Sequence, residues 1–139
     1  MLVLFFCSII CETITIKDIV KLTSQEVNAK MSGVTTAEVI LENVTYIYDY
    51  AFFQCDKLIS IKISSSVNSI GIGSFYLCSN LENVSFEEKS NLIIIGECAF
   101  NECINLKSIK IPSSVNSIGL VAFESCLDLE NISFEEESN

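Results

Sequence analysis

The stretch Ser65-Ser66-Val67-Asn68-Ser69-Ile70-Gly71 recurs unchanged as Ser113 to Gly119, at an offset of 48 residues. Leu81 to Glu88 returns at the same offset as Leu129 to Glu136, with Ile132 standing where the first copy has Val84. Each block of 48 holds two shorter units with a common apolar skeleton. The units read Ile47, Phe52, Cys55, Leu58, Ile61, Ile63 and then Ile70, Phe75, Cys78, Leu81, Val84, Phe86. They continue as Ile95, Phe100, Cys103, Leu106, Ile109, Ile111 and then Ile118, Phe123, Cys126, Leu129, Ile132, Phe134. The starts are 23, 25 and 23 residues apart, and the two extra residues fall between Glu87 and Ile94, where a loop can absorb them.

A period of 20–29 residues with a Leu-x-x-Ile-x-Ile core specifies a leucine-rich-repeat rung. The alternation turns the apolar residues inward along a short strand. One rung cannot bury that face alone, so rungs stack, pair their strands in parallel and build one continuous core. The Ile-Gly-x-x-Ala-Phe portion carries the chain back. A small residue there (Ala51, Ser74, Ala99, Ala122) leaves room for the four phenylalanines to stack as a ladder. The expected fold is a right-handed α/β-type solenoid, a leucine-rich-repeat array over residues 39–139 made of a partial rung and then about four full rungs starting near residues 47, 70, 95 and 118.

The pattern Ile-Gly-x-x-Ala-Phe-x-x-Cys-x-x-Leu-x-x-Ile-x-Ile-Pro-x-Ser-Val, nearly whole from Ile95 to Val115, resembles the BspA-like leucine-rich repeat. The resemblance covers about Val39 to Asn139. It implies a cell-surface protein that adheres to extracellular-matrix or host proteins, and it brings no catalytic residues.

Upstream, Val39, Leu41, Val44 and Ile47 echo the second half of a rung. Thr23-Ser24-Gln25-Glu26 is a capping box that predicts a short helix to about Met31. Thr13 to Ile16 alternates like a strand. Residues 12–38 are therefore expected to cap the first rung. Residues 1–11 are apolar, and Leu2 to Ile10 read as the core of a secretory signal cut near Cys11; the alternatives are an internal apolar strand or a mis-assigned start. The stretch is too short for a transmembrane helix. At the other end, the pattern stops in mid-repeat at Asn139 with no polar capping repeat. That suggests either a fragment of a longer array or a face that self-associates.

The 139 residues carry 18 acidic and 8 basic side chains, every basic one a lysine, and no histidine, for a net charge of −10. Nucleic acid and anionic membrane would be repelled. Without histidine there are no Ser/His or Cys/His nucleophile pairs and no histidine zinc sites. No catalytic residue, cofactor, metal site or small-molecule substrate is expected. The four repeat-slot cysteines, Cys55, Cys78, Cys103 and Cys126, read as buried thiols rather than disulfides. Glutamates 87–88 and 135–137 read as solvated charge.

The outward strand positions are the candidate ligand-binding surface: Ser60, Lys62, Ser64; Asn83, Ser85, Glu87; Ser108, Lys110, Pro112; Asn131, Ser133, Glu135. Three sequons start at Asn43, Asn83 and Asn131 and are candidate glycosylation sites if the chain is secreted. The function these features point to is a non-catalytic secreted or surface module binding a protein ligand. The alternatives are an intracellular, cytoplasmic interaction scaffold or a truncated piece of a longer repeat protein.

Overall fold

The structure is a computed structural model and describes residues 12–19 and 21–136. The signal read at residues 1–11 lies outside them. Each turn of chain gives one strand to each of two parallel sheets. The first sheet is β1 (Glu12–Lys17), β3 (Ala37–Glu42), β5 (Leu58–Ile63), β7 (Asn83–Phe86), β9 (Ser108–Ile111) and β11 (Asn131–Phe134), ordered along the chain. The second is built from two-residue strands: β2 (Lys21–Leu22), β4 (Tyr46–Ile47), β6 (Ser69–Ile70), β8 (Ile94–Ile95) and β10 (Ser117–Ile118).

Equivalent repeat positions face each other across the strands. Ile61 pairs with Val84, Ser108 with Asn131, and Ile70 with Ile95. The partial rung aligns as its sequence echo requires, with Val39 opposite Ile61. The segment expected as a cap, residues 12–38, adds β1 and β2 to the two sheets, Ile16 facing Leu41, and its last two residues open β3. Between β2 and β3 lies α1 (Ser24–Met31), where Glu26 accepts hydrogen bonds from the Thr23 N–H at 3.0 Å and from the Thr23 hydroxyl. The helix buries Val27 and Met31 against the first turn. It is the one α-helix among the described residues, so the α/β character is slight.

In later turns, tight bends replace a helix on the return path. Two residues per turn adopt the left-handed conformation: Tyr50 and Gln54, Gly73 and Leu77, Cys98 and Glu102, Val121 and Ser125, with φ between 49° and 62°. Seven of these eight carry a β-carbon, which costs roughly 1–2 kcal/mol each in that region. The backbone gains lateral hydrogen bonds in return. Tyr50, Phe52 and Gln54 donate to the carbonyls of Ile72, Ser74 and Tyr76 in the next turn, while Ala51, Phe53 and Cys55 bond within their own turn. A regular helix would spend all of these donors internally.

The bends stack the core in columns. Phe52, Phe75, Phe100 and Phe123 lie ring on ring, with centroids 5.0, 4.9 and 5.4 Å apart and planes within 13°. Beside them each thiol points at the turn before: the Sγ–H of Cys78, Cys103 and Cys126 donates to the carbonyl of Phe52, Phe75 and Phe100 at 2.9, 3.2 and 3.1 Å. Burial raises all three thiol pKa values, pushing Cys126 up to about 11 and holding Cys78 and Cys103 well above the ordinary thiol value. The five described cysteines are free.

The turns approach closely at the glycine of the Ile-Gly pair. A β-carbon on Gly96 would sit 2.6 Å from the Gly71 carbonyl carbon, and one on Gly71 would sit 2.5 Å from the Asp49 backbone nitrogen. In the loop with two extra residues, Leu92 takes the buried place that Val67 holds one turn earlier. Ser66 and Ser114 each tie the bend to the preceding turn, donating to the carbonyls of Val44 and Leu92 at 2.9 and 2.7 Å.

Candidate binding surface

Alternation along the first sheet puts one residue in two on its outer face. Stacking then lines these residues into columns. One column joins Glu38, Ser60, Asn83, Ser108 and Asn131; the next places Lys62 beside Ser85 and Lys110 beside Ser133. Lys62, Asn83, Ser85, Ser108, Lys110 and Asn131 are exposed, while Ser60 and Ser133 are half-buried. Glu38 and Thr13 extend the first column toward the amino end. Sequence reading overlooked both because it began the array at residue 39, although the alternation of β1 was visible.

Two expected members of the face are not on it. Ser64 and Pro112 are buried. Both fall one residue beyond their strands, where the chain bends inward. The Ser64 hydroxyl lies 2.9 Å from that of Ser66, and the carbonyls of Ser64 and Pro112 accept the N–H groups of Val67 and Val115. The same slot in the longer turn holds Glu87, and in the last described turn Glu135, both half-buried.

Glu87 is a structural anchor as well as a surface charge. Its carboxylate accepts the Ser65 N–H at 3.0 Å and pairs with Lys62 at 3.2 Å. The Ser65 N–H, followed by Lys62, holds its pKa below the usual carboxylate range. Lys107 pairs with Glu82 at 2.6 Å on the same flank. The face is a mixed, internally paired polar surface. Among the described residues no cluster of His, Cys, Asp or Glu is arranged to hold a metal ion, and no helix is long and apolar enough to cross a membrane.

The sequon asparagines Asn43, Asn83 and Asn131 are all exposed. Asn43 sits at a left-handed position and its side-chain amide donates to Asp18 at 3.0 Å. At the far end of the stack the last described turn leaves Leu120, Leu127 and Phe134 61–79% exposed.

A parallel stack of 23–25-residue turns with Cys and Phe in fixed slots defines a leucine-rich-repeat solenoid. The chain belongs to the BspA type leucine rich repeat region family, which matches in six copies over residues 4–94 and 75–139. A leucine-rich repeat protein from Bacteroides capillosus is 32% identical, with a TM-score of 0.57 over 68% of this chain and 66% of that one. The pneumococcal vaccine antigen PcpA is 22% identical, with a TM-score of 0.63 over 89% of this chain and 30% of that one. A leucine-rich cell surface protein from Faecalibacterium prausnitzii is 21% identical, with a TM-score of 0.54 over 92% of this chain and 49% of its own length. The latter two likenesses show the fold alone. No curated protein matches the chain. Membership of this leucine-rich repeat family suggests a protein-interaction module.

Proposed function

We propose that this is a secreted or surface-attached adhesion module that binds a protein ligand, without catalysis, on the outer face of its first sheet. The observation that carries the reading is the in-register polar face, where Lys62, Asn83, Ser85, Lys110 and Asn131 stand exposed on a rigid support. A rigid array loses little conformational entropy when it binds. Mixed polar columns suit a wet protein interface better than an apolar pocket. The face carries no aromatic anchor, so one array binds weakly and several copies on a surface gain by avidity. A cell surface protein and a vaccine antigen of the same fold, and the resemblance to a family of surface antigens, support the location. If the chain passes through a glycosylating secretory route, exposed Asn43, Asn83 and Asn131 accept glycans.

The test is binding to immobilised decellularised extracellular matrix, comparing the wild-type chain with Lys62→Glu/Lys110→Glu. The double variant is expected to lose binding by tenfold or more. Unchanged binding rules out the strand face.

The exposed Leu120, Leu127 and Phe134 favour a second reading, in which the chain works within a longer stack or self-associates through that end. Sedimentation at rising concentration tests it: association that Leu120→Lys/Leu127→Lys abolishes supports it, and a concentration-independent monomer rules self-association out.

A further inference from the structure

The repeat segregates charge as well as hydrophobicity. In the four return paths, residues 46–56, 69–79, 94–104 and 117–127, there are five carboxylates and no lysine. Taken together the four return paths are therefore net anionic, through Asp49, Asp56, Glu97, Glu102 and Glu124, with Lys21 on β2 and Lys57 in the groove beside α1 as the neighbouring cations.

The chain's four tyrosines gather on the same flank. Tyr46, Tyr48 and Tyr50 are exposed, as are Phe53 and Ile72 beside them. Tyr50 meets Phe53 edge to face at 5.9 Å, and Phe53 meets Tyr76 of the next turn at 5.6 Å. Gly73 makes room for this strip: a β-carbon there would lie 2.6 Å from Tyr50 Cε1. The strip also borders the groove beside α1, which Tyr50 and Phe53 line together with Met31.

Carboxylates continue the strip along the stack. Tyr76 donates its hydroxyl to Glu102 at 3.3 Å, and the Phe53–Tyr76 column runs on into Asn101 and Glu124, which share a hydrogen bond of 3.3 Å. Glu97 stands beside Gly73, whose N–H its carbonyl accepts at 2.9 Å. The chain already seats one cation here, the Lys21 ammonium 5.4 Å from the Tyr48 ring centroid.

We infer that this aromatic and acidic flank is a second recognition surface, and that its partner is a basic protein segment whose Arg or Lys side chains lie on the rings of Tyr50, Phe53 and Tyr76 against the carboxylates of Glu97 and Glu102. Ring faces attract a cation electrostatically, and the attraction strengthens where water is thin. Exposed aromatic clusters on an otherwise polar surface mark interaction sites. The carboxylates steer a basic segment toward the flank and repel an acidic one. A neutral sugar could stack on the same rings, but it would leave the carboxylates of Glu97 and Glu102 without a role. The first sheet offers no such cluster: its lysines point out, and its two rings, half-buried Phe86 and exposed Phe134, stand two turns apart.

The probe is a fluorescently labelled octapeptide of alternating Arg and Gly, titrated into the full chain at low and moderate salt. Phe53→Leu and Tyr76→Leu are each expected to weaken binding about fivefold, a typical loss for one cation–π contact. Phe53→Trp is expected to retain it. Glu97→Lys/Glu102→Lys removes binding, whereas Glu38→Lys/Glu42→Lys, the same change of charge on exposed residues of the first sheet, leaves it within about twofold. Phe53 and Tyr76 sit at the surface, and an unchanged melting temperature shows that each variant folds. Equal losses from both charge reversals with none from the ring variants mean attraction by net charge alone and overturn the proposal. Equal binding of the peptide with Arg replaced by Ala, or of a neutral oligosaccharide whose affinity ignores salt, overturns the basic partner.

Discussion

The Cys103 thiol lies 3.2 Å from the carbonyl oxygen of Phe75, one turn earlier, and donates its hydrogen to it. The same contact at Cys78 and Cys126 makes a ladder that stitches each turn to its predecessor from inside the core. It explains why Cys rather than another small apolar residue recurs in the slot. The thiol fills a small apolar site and still satisfies a buried carbonyl.

The thiols give the fold an alkaline limit. Burial raises their pKa in the folded chain, while an unfolded thiol ionises near its ordinary value of 9.0. The neutral thiols therefore contribute stability that is fully present below pH 9.0 and is lost as pH rises through about 11, where Cys126 ionises in the folded state. Denaturant unfolding at pH 7, 9 and 10.5 is expected to show a falling midpoint. Cys103→Ala should lower stability at pH 7 by about 1 kcal/mol and flatten the alkaline fall by about one proton's worth of slope. A variant with an unchanged slope would remove the ladder from the account.

Phe75→Ala opens a hole between two stacked rings at the centre of the array. It is expected to cost about 3–5 kcal/mol. Phe123→Ala, at a ring that is only half-buried, should cost much less. Urea unfolding of the two variants side by side tests the ranking.

Ser74 occupies the small-residue slot that holds alanine in the other three units, and its buried hydroxyl has no hydrogen-bond partner. Ser74→Ala should stabilise the chain by about 1 kcal/mol, since an unpaired buried hydroxyl carries a desolvation cost. The measurement is the shift in melting temperature, which should be upward.

Gly96→Ala should act in the opposite direction. The new methyl group meets the Gly71 carbonyl carbon at 2.6 Å, so the two turns must separate. A loss of about 1–3 kcal/mol is expected from forced overpacking. Tyr48 holds the same slot in the first unit, with its ring exposed beneath the Lys21 ammonium rather than packed in the core. Alanine at position 48 should therefore leave core packing intact.

Most of this architecture was legible in the sequence because repetition makes each position speak several times. The Phe and Cys columns, the strand register and the capping box at Thr23 all follow from spacing. The left-handed pairs did not, since seven of the eight residues involved, Tyr50 and Glu102 among them, carry side chains that give no sign of positive φ. What holds them there is hydrogen bonding between turns, which single-chain propensity cannot register. The burial of Ser64 and Pro112 was missed for a related reason: period-two alternation was carried one residue past the strand, into a bend. The aromatic flank was scattered in sequence, with Tyr76 a full turn from Tyr50, and became a surface only once the turns stacked.

A surface adhesion module must be displayed outside the cell, and one measurement bears on that most directly. Living cells are treated with a membrane-impermeant amine reagent, and the intact mass of the recovered protein is then determined. Lys62 and Lys110 are exposed, so a displayed chain acquires label, and its mass begins near residue 12 if residues 1–11 are removed on export. That labelled, shortened mass is the expected result. A full-length chain without label would contradict the surface role and leave an intracellular interaction scaffold as the reading.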